Sequence, residues 1–253
     1  MLVFALAIPF WLVGAAAKQG LPLRMNLPVS ALQFICPLIA ALILVYRDEK
    51  GRGVRRLLQR LVDYRRVENW VWYVPIIFLV PAIYLLSYWA MRLLGRPLPE
   101  PDVPWLTIPL LVVVFFVAGI GEEGGWTGYA VDPMQDRWNA VTAAAVLGLV
   151  WGLFHVVPDL QAHRGLAWIA WQRGVYDVGL RVLIVWLYNS TGKAVFAAIL
   201  VHDMDNVSSS LFPNDGSHYD PAFTGTITAL TAMIVTFLWG AKTLARYRYA
   251  VGR

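Results

Sequence analysis

The chain has 253 residues, of which 58% are hydrophobic and 15% charged, with a mean hydropathy of +0.57. Soluble domains are about half apolar and about a quarter charged, so a water-enclosed core cannot absorb this much apolar side chain and lipid must solvate part of the surface. The formal charge of +5 falls between apolar runs, as juxtamembrane charge does beside anionic headgroups, which excludes nucleic acid as a partner.

A helix crosses the hydrocarbon in about 20 residues. By that measure the sequence divides into about eight spans, at 2–17, 29–46, 70–94, 105–131, 140–157, 168–188, 194–210 and 222–244. The first has the look of a signal-peptide core ending in Ala15, Ala16 and Ala17, but no basic residue precedes it, so it is read as a span. After the second span, segment 47–68 holds Arg47, Lys50, Arg52, Arg55, Arg56, Arg60, Arg65 and Arg66, with Leu57, Leu58, Leu61 and Val62 at helical spacing. That pattern predicts an amphipathic helix lying on the membrane, on its cytoplasmic side by the positive-inside rule. An even number of spans places both termini in the cytoplasm, in keeping with Lys242, Arg246, Arg248 and Arg253. The expected fold is therefore an all-α polytopic transmembrane bundle, one integral membrane domain over 1–253. The excess of Arg over Lys points to a prokaryotic cytoplasmic membrane. The lone Cys36 rules out an intramolecular disulfide.

Ionisable side chains within spans cost at least about 2.5–3.5 kcal/mol each at a helix centre and are candidates for function. The fourth span carries Glu122 and Glu123, the fifth Trp151 and His155, and the seventh His202, Asp203, Asp205 and Asn206. Hydrolysis needs a base within hydrogen-bonding reach of a water and donors aimed at the oxyanion. Glu122 and His155 suit the first need. His202 and Asn206, four residues apart, share a helix face and suit the second. At 1.5 Å per residue His155 lies about 22 Å from residue 140 and Glu122 about 13 Å from residue 131. The fifth helix must then start below the membrane surface, capped by Asp136 or Asn139. In the sixth span Arg173, Asp177 and Arg181 recur at spacing four and read as an internal ion-paired stripe with an orienting role. His163 and His218 fall in solvent-facing loops. Gly119, Gly121 and Gly124 fit a dinucleotide-binding pattern formally, but with no strand–turn–helix around them they read as points of close helix approach.

These clusters resemble the motifs of the CAAX-protease and bacteriocin-processing family of membrane proteins, which includes the Ras-converting CAAX endopeptidase. That family carries EExxxR, then FxxxH, then HxxxN or HxxxD. Here Glu122 and Glu123 open the first motif, with Thr127 where the arginine belongs. His155 ends the second, with Trp151 for the phenylalanine, and His202 and Asn206 complete the third. The resemblance covers about 105–210. It implies an intramembrane endopeptidase without a cofactor, in which Glu122 acts as base, His155 assists, Glu123 supports, and His202 with Asn206 form the oxyanion hole. The partners it implies are membrane lipids and a peptide or membrane-protein substrate, C-terminally prenylated in part of the family. A cavity opening to the cytoplasm is expected. Three alternatives stand beside this reading. Zinc could be held by Glu122, Glu123, His155 and His202. The loss of arginine at 127 could mark an inactive immunity or scaffold protein. The acids and imidazoles could also relay protons in a transporter.

Overall fold

The computed structural model describes residues 1–17, 20–21 and 27–245; Arg246, Arg248 and Arg253 lie outside the described residues. The architecture is all-helical, with no strand among the described residues. In chain order the helices are α1 (Leu2–Ala16), α2 (Cys36–Arg60, led by a 3₁₀ stretch Val29–Ile35), α3 (Tyr73–Leu93), α4 (Ile108–Gly125), α5 (Asp132–Arg137), α6 (Ala140–Gln161), α7 (Leu166–Ile169), α8 (Asp177–Ser190), α9 (Val195–Leu211) and α10 (Pro221–Trp239). Wide π-turns join α4 to α5 (Trp126–Val131) and α7 to α8 (Ala170–Tyr176).

Five helical stretches are long and apolar enough to cross a membrane: Val29–Arg60, Trp70–Leu93, Ile108–Arg137, Ala140–Gln161 and Pro221–Trp239. The protein is a multi-pass integral membrane protein. Of the other predicted spans, α1 is a shorter apolar helix, α9 has 17 residues, and the α7–α8 line carries Arg173, Asp177 and Arg181. Helix α8 is buried at every residue from Gly179 to Ser190, a helix apolar almost all round and therefore enclosed by others. It packs on α6, α9 and α10, which shield its charges from lipid.

The fourth span runs further than predicted. Asp132 and Pro133 read as a stop in the sequence, yet the helical line continues to Arg137. The π-turn widens the backbone just before Pro133, which sits in the first turn of α5, where a missing N–H costs little. Glu122 is thus 15 residues from Arg137 (137 − 122), and His155 is 15 from Ala140 (155 − 140), about 22 Å in each helix. The two side chains meet at matched depth, and α6 need not start below its neighbour. Asn139 caps it, its side chain accepting from the Thr142 N–H at 2.8 Å.

One end of the bundle is tied by basic residues. Arg60 donates to the Gly128 carbonyl at 2.7 Å, Lys193 pairs with Asp132 at 2.9 Å, and Arg66 reaches the Gly192 carbonyl at 3.2 Å. The predicted amphipathic helix continues α2 beyond a break at Lys50, where φ is 58°. Leu57 and Leu61 pack into protein while Leu58 and Val62 are exposed, so this segment docks on the bundle instead of resting wholly in lipid.

Glycines bring α4 against the start of α2. A Cβ on Gly125 would stand 2.3 Å from the Pro37 carbonyl oxygen, and one on Gly121 2.8 Å from that of Phe34. Overpacking of this kind costs about 1–3 kcal/mol. Gly125→Ala is expected to lower the melting temperature of the detergent-purified protein by several degrees. An unchanged melting temperature would mean that the helices are not this close.

Candidate active site

Glu122 and Glu123 sit near the end of α4, 5% and 0% exposed. Adjacent residues on a helix point about 100° apart, so the two carboxylates face different neighbours. Glu122 turns toward α6. Its Oε2 accepts from the Trp151 indole N–H at 2.7 Å and from Trp126 at 3.3 Å. Its Oε1 lies 3.5 Å from His155 Nε2. The other nitrogen of His155, Nδ1, is 2.9 Å from the Trp151 carbonyl. A carbonyl only accepts, so Nδ1 carries a proton and Nε2 is presented to Glu122.

Glu123 turns toward α8 and α9. Arg181, fully buried, donates from Nη1 to Oε2 at 2.7 Å and from Nη2 to Oε1 at 3.0 Å. Thr127 donates its hydroxyl to the same Oε2. His202 Nδ1 approaches Oε1 at 2.9 Å, which fixes the ring and leaves Nε2 free to face elsewhere. Asn206, one turn further along α9, lines the same cavity as Glu122, His155 and His202. The five residues singled out by the sequence, from three helices, are therefore brought together. His163 and His218 lie apart and exposed.

The ion-paired stripe of the sixth span requires correction. Arg173 does pair with Asp177 at 3.0 Å, and more closely with Asp159 at 2.6 Å. Arg181 instead crosses to Glu123, because burial leaves a guanidinium no water and a bidentate carboxylate is its best replacement. Trp151 keeps the aromatic bulk that the sequence displays, and the structure adds a second use, the donation of its N–H to Glu122.

The cavity has a volume of about 1010 Å³. Its floor is Glu122, Trp151, His155 and His202, and it extends past Arg173 and Tyr219 to Arg164, Asn214 and Ser217. Those last residues sit at the end of the bundle where Asn214 meets Glu100 and Asp102. That is the end opposite Arg60, Arg66 and Lys193. The mouth therefore faces away from the basic end, against the expectation of a cavity opening on the same side as the 47–68 segment. Between Glu122 and the basic end the helical line runs on to Arg137, and no residue from 123 to 150 lines the cavity. One wall of the cavity, from Leu32, Phe34, Val113, Val114 and Val117, is apolar, and Leu32, Val113 and Val117 are also exposed on the outer surface.

Residues 104–208 match the family described as type II CAAX prenyl endopeptidase Rce1-like, the stretch that holds all five site residues. Over 233 aligned residues the chain is 23% identical to the CAAX prenyl protease 2 of Methanococcus maripaludis, covering 82% of this chain and 81% of that protein. The match over 104–208, the similarity along most of both chains and the buried acid–imidazole cluster agree: the chain is similar to the Rce1-like family, and they support a membrane-embedded protease of the CAAX type.

Proposed function

We propose that the protein hydrolyses a peptide bond with a water activated by Glu122. The observation that carries this is the pairing of Glu122 Oε1 with His155 Nε2 at 3.5 Å, at the floor of a cavity large enough for a peptide segment. That distance exceeds a direct charged hydrogen bond, and a water beside the pair can touch both atoms. Glu122 takes its proton as the water oxygen bonds to the carbonyl carbon and passes it to the amine nitrogen as the C–N bond breaks, while His155 orients the water. With Nδ1–H given to the Glu123 carboxylate, His202 acts as an imidazolium, so that its Nε2–H and the Asn206 amide donate to the oxygen that gains charge while Glu123 holds the ring. The two indoles that donate to Glu122 occupy one of its oxygens and leave the other for the water.

No metal enters this scheme. Glu123 spends its oxygens on Arg181, Thr127 and His202, and a bidentate guanidinium is a poor neighbour for a zinc ligand. Hydrolysis of an internally quenched peptide pool by the detergent-purified protein should survive 1,10-phenanthroline at millimolar concentration. Loss of activity with recovery on added zinc would overturn the metal-free reading.

The relative's name specifies a prenylated CAAX substrate, and the apolar wall beside α4 suits a lipid-modified or membrane-embedded peptide. A farnesylated CAAX peptide belongs in the same detergent assay, where both faces of the protein are accessible.

Charge placement argues for the side served. Arg47 to Arg66, Arg137, Lys193 and Lys242 gather at the closed end, and the positive-inside rule puts that end in the cytoplasm. The mouth then faces the opposite compartment. In a Cys36→Ala background, Asn214→Cys is expected to react with a membrane-impermeant maleimide in intact cells, and Arg52→Cys only after permeabilisation. The reverse pattern would place the mouth in the cytoplasm.

A further inference from the structure

We infer that Arg181 is a positioning residue for the hydrolytic site, supplying from α8 the guanidinium that the paired-glutamate motif lacks at Thr127. This rests on the hydrolytic reading above. The geometry is specific. Arg181 forks onto both oxygens of Glu123 at 2.7 and 3.0 Å, and its Nη1 lies 3.4 Å from Thr127 Oγ1. A side chain at position 127 and one at position 181 thus reach the same carboxylate oxygen side by side. Thr127 is short enough to leave the space that the Arg181 head fills, and both are fully buried.

Arg181 also reaches the other half of the site. Its guanidinium sits 4.3 Å from the centre of the Trp151 ring, a cation–π stack, and that indole N–H is the donor to Glu122. One cation therefore braces two arms. Through Glu123 it fixes the His202 ring, and through Trp151 it fixes the Glu122 carboxylate. It does neither by touching substrate, since it is wholly enclosed and forms no part of the cavity wall.

A residue that only neutralised a buried carboxylate would govern folding and nothing else. A positioning residue governs turnover at unchanged substrate affinity. The two are separated by kinetics on the peptide probe with Arg181→Ala, Arg181→Lys and the double variant Arg181→Ala/Thr127→Arg, alongside wild type and Glu122→Gln. Arg181→Ala is expected to lower kcat by about 100-fold or more with KM within about threefold, as misplacement of a reacting group does. Arg181→Lys, a point charge without the fork, should recover only part of that loss. The double variant should return kcat to within about tenfold of wild type by bringing a fork to Glu123 from position 127 into the space the Arg181 head vacates. Melting temperatures measured on the same samples report folding, and if Arg181→Ala does not fold, the lysine and double variants decide.

A folded Arg181→Ala protein with wild-type kcat overturns the inference, as does a double variant that regains wild-type thermal stability and not its turnover. With wild type active and Glu122→Gln inactive, either outcome refutes the role of Arg181 alone. A wild type inactive on every probe removes the hydrolytic reading and this inference together.

Discussion

Glu122→Gln is expected to lower kcat for the peptide probe by about 10²–10⁴-fold, the range that a positioned general base contributes, while leaving the melting temperature within about a degree of wild type. The substitution keeps the shape of the side chain and its carbonyl oxygen, which still accepts from Trp151 and Trp126 as the carboxylate does at 2.7 and 3.3 Å. What it removes is the capacity to take a proton from water at Oε1. Loss of turnover without loss of fold therefore separates chemistry from packing. A Glu122→Gln protein that turns over at wild-type rate would show that the pair formed with His155 is structural. His163→Ala, in an exposed turn beyond α6, is the matched control and should leave kcat unchanged.

The second large effect belongs to His202. Its ring is held by Glu123 at 2.9 Å and buried against Trp151, so Nε2 has one orientation. Removing one oxyanion donor costs about 10²–10³ in kcat, and His202→Ala should fall in or below that range. The variant also strips Glu123 of one of its partners, so some stability is lost as well. Arg181 and Thr127 remain on the carboxylate, which limits that loss to a partly satisfied group and spares the fold. The kinetic signature is a fall in kcat with KM little changed, because the oxyanion exists only after attack. A rise in KM at constant kcat would instead assign His202 to substrate binding.

Much of this site was legible in the sequence because membranes penalise buried charge. Glu122, Glu123, His155, His202 and Asn206 stood out against apolar surroundings, and their periodicity gave the helix faces they share. Periodicity does not say which neighbour a face meets. Arg181 lies four residues from Asp177, and the local pair was the natural reading, yet its partner is 58 residues away on α4. Trp151 was visible as an aromatic substitute, but the direction of an indole N–H is set by tertiary packing. The extent of the fourth helix was misjudged at Asp132 and Pro133, where a π-turn absorbs the proline. That one misplaced boundary produced the apparent mismatch in depth between Glu122 and His155. The helical segments themselves were recovered in order, since apolar runs of that length have few other uses. The charged spans were harder to bound, because α8 and α9 are shielded by protein and need not satisfy lipid along their whole length.

The most direct test is a comparison of peptide N-termini in membranes from cells that carry the wild-type protein and cells that carry Glu122→Gln at equal abundance. A carboxylate acting on water in the pocket shared by α4, α6 and α9 predicts new N-termini in the wild-type membranes that are missing from the variant. Identical sets of N-termini, together with equal turnover of the peptide probe by the two purified proteins, would contradict it.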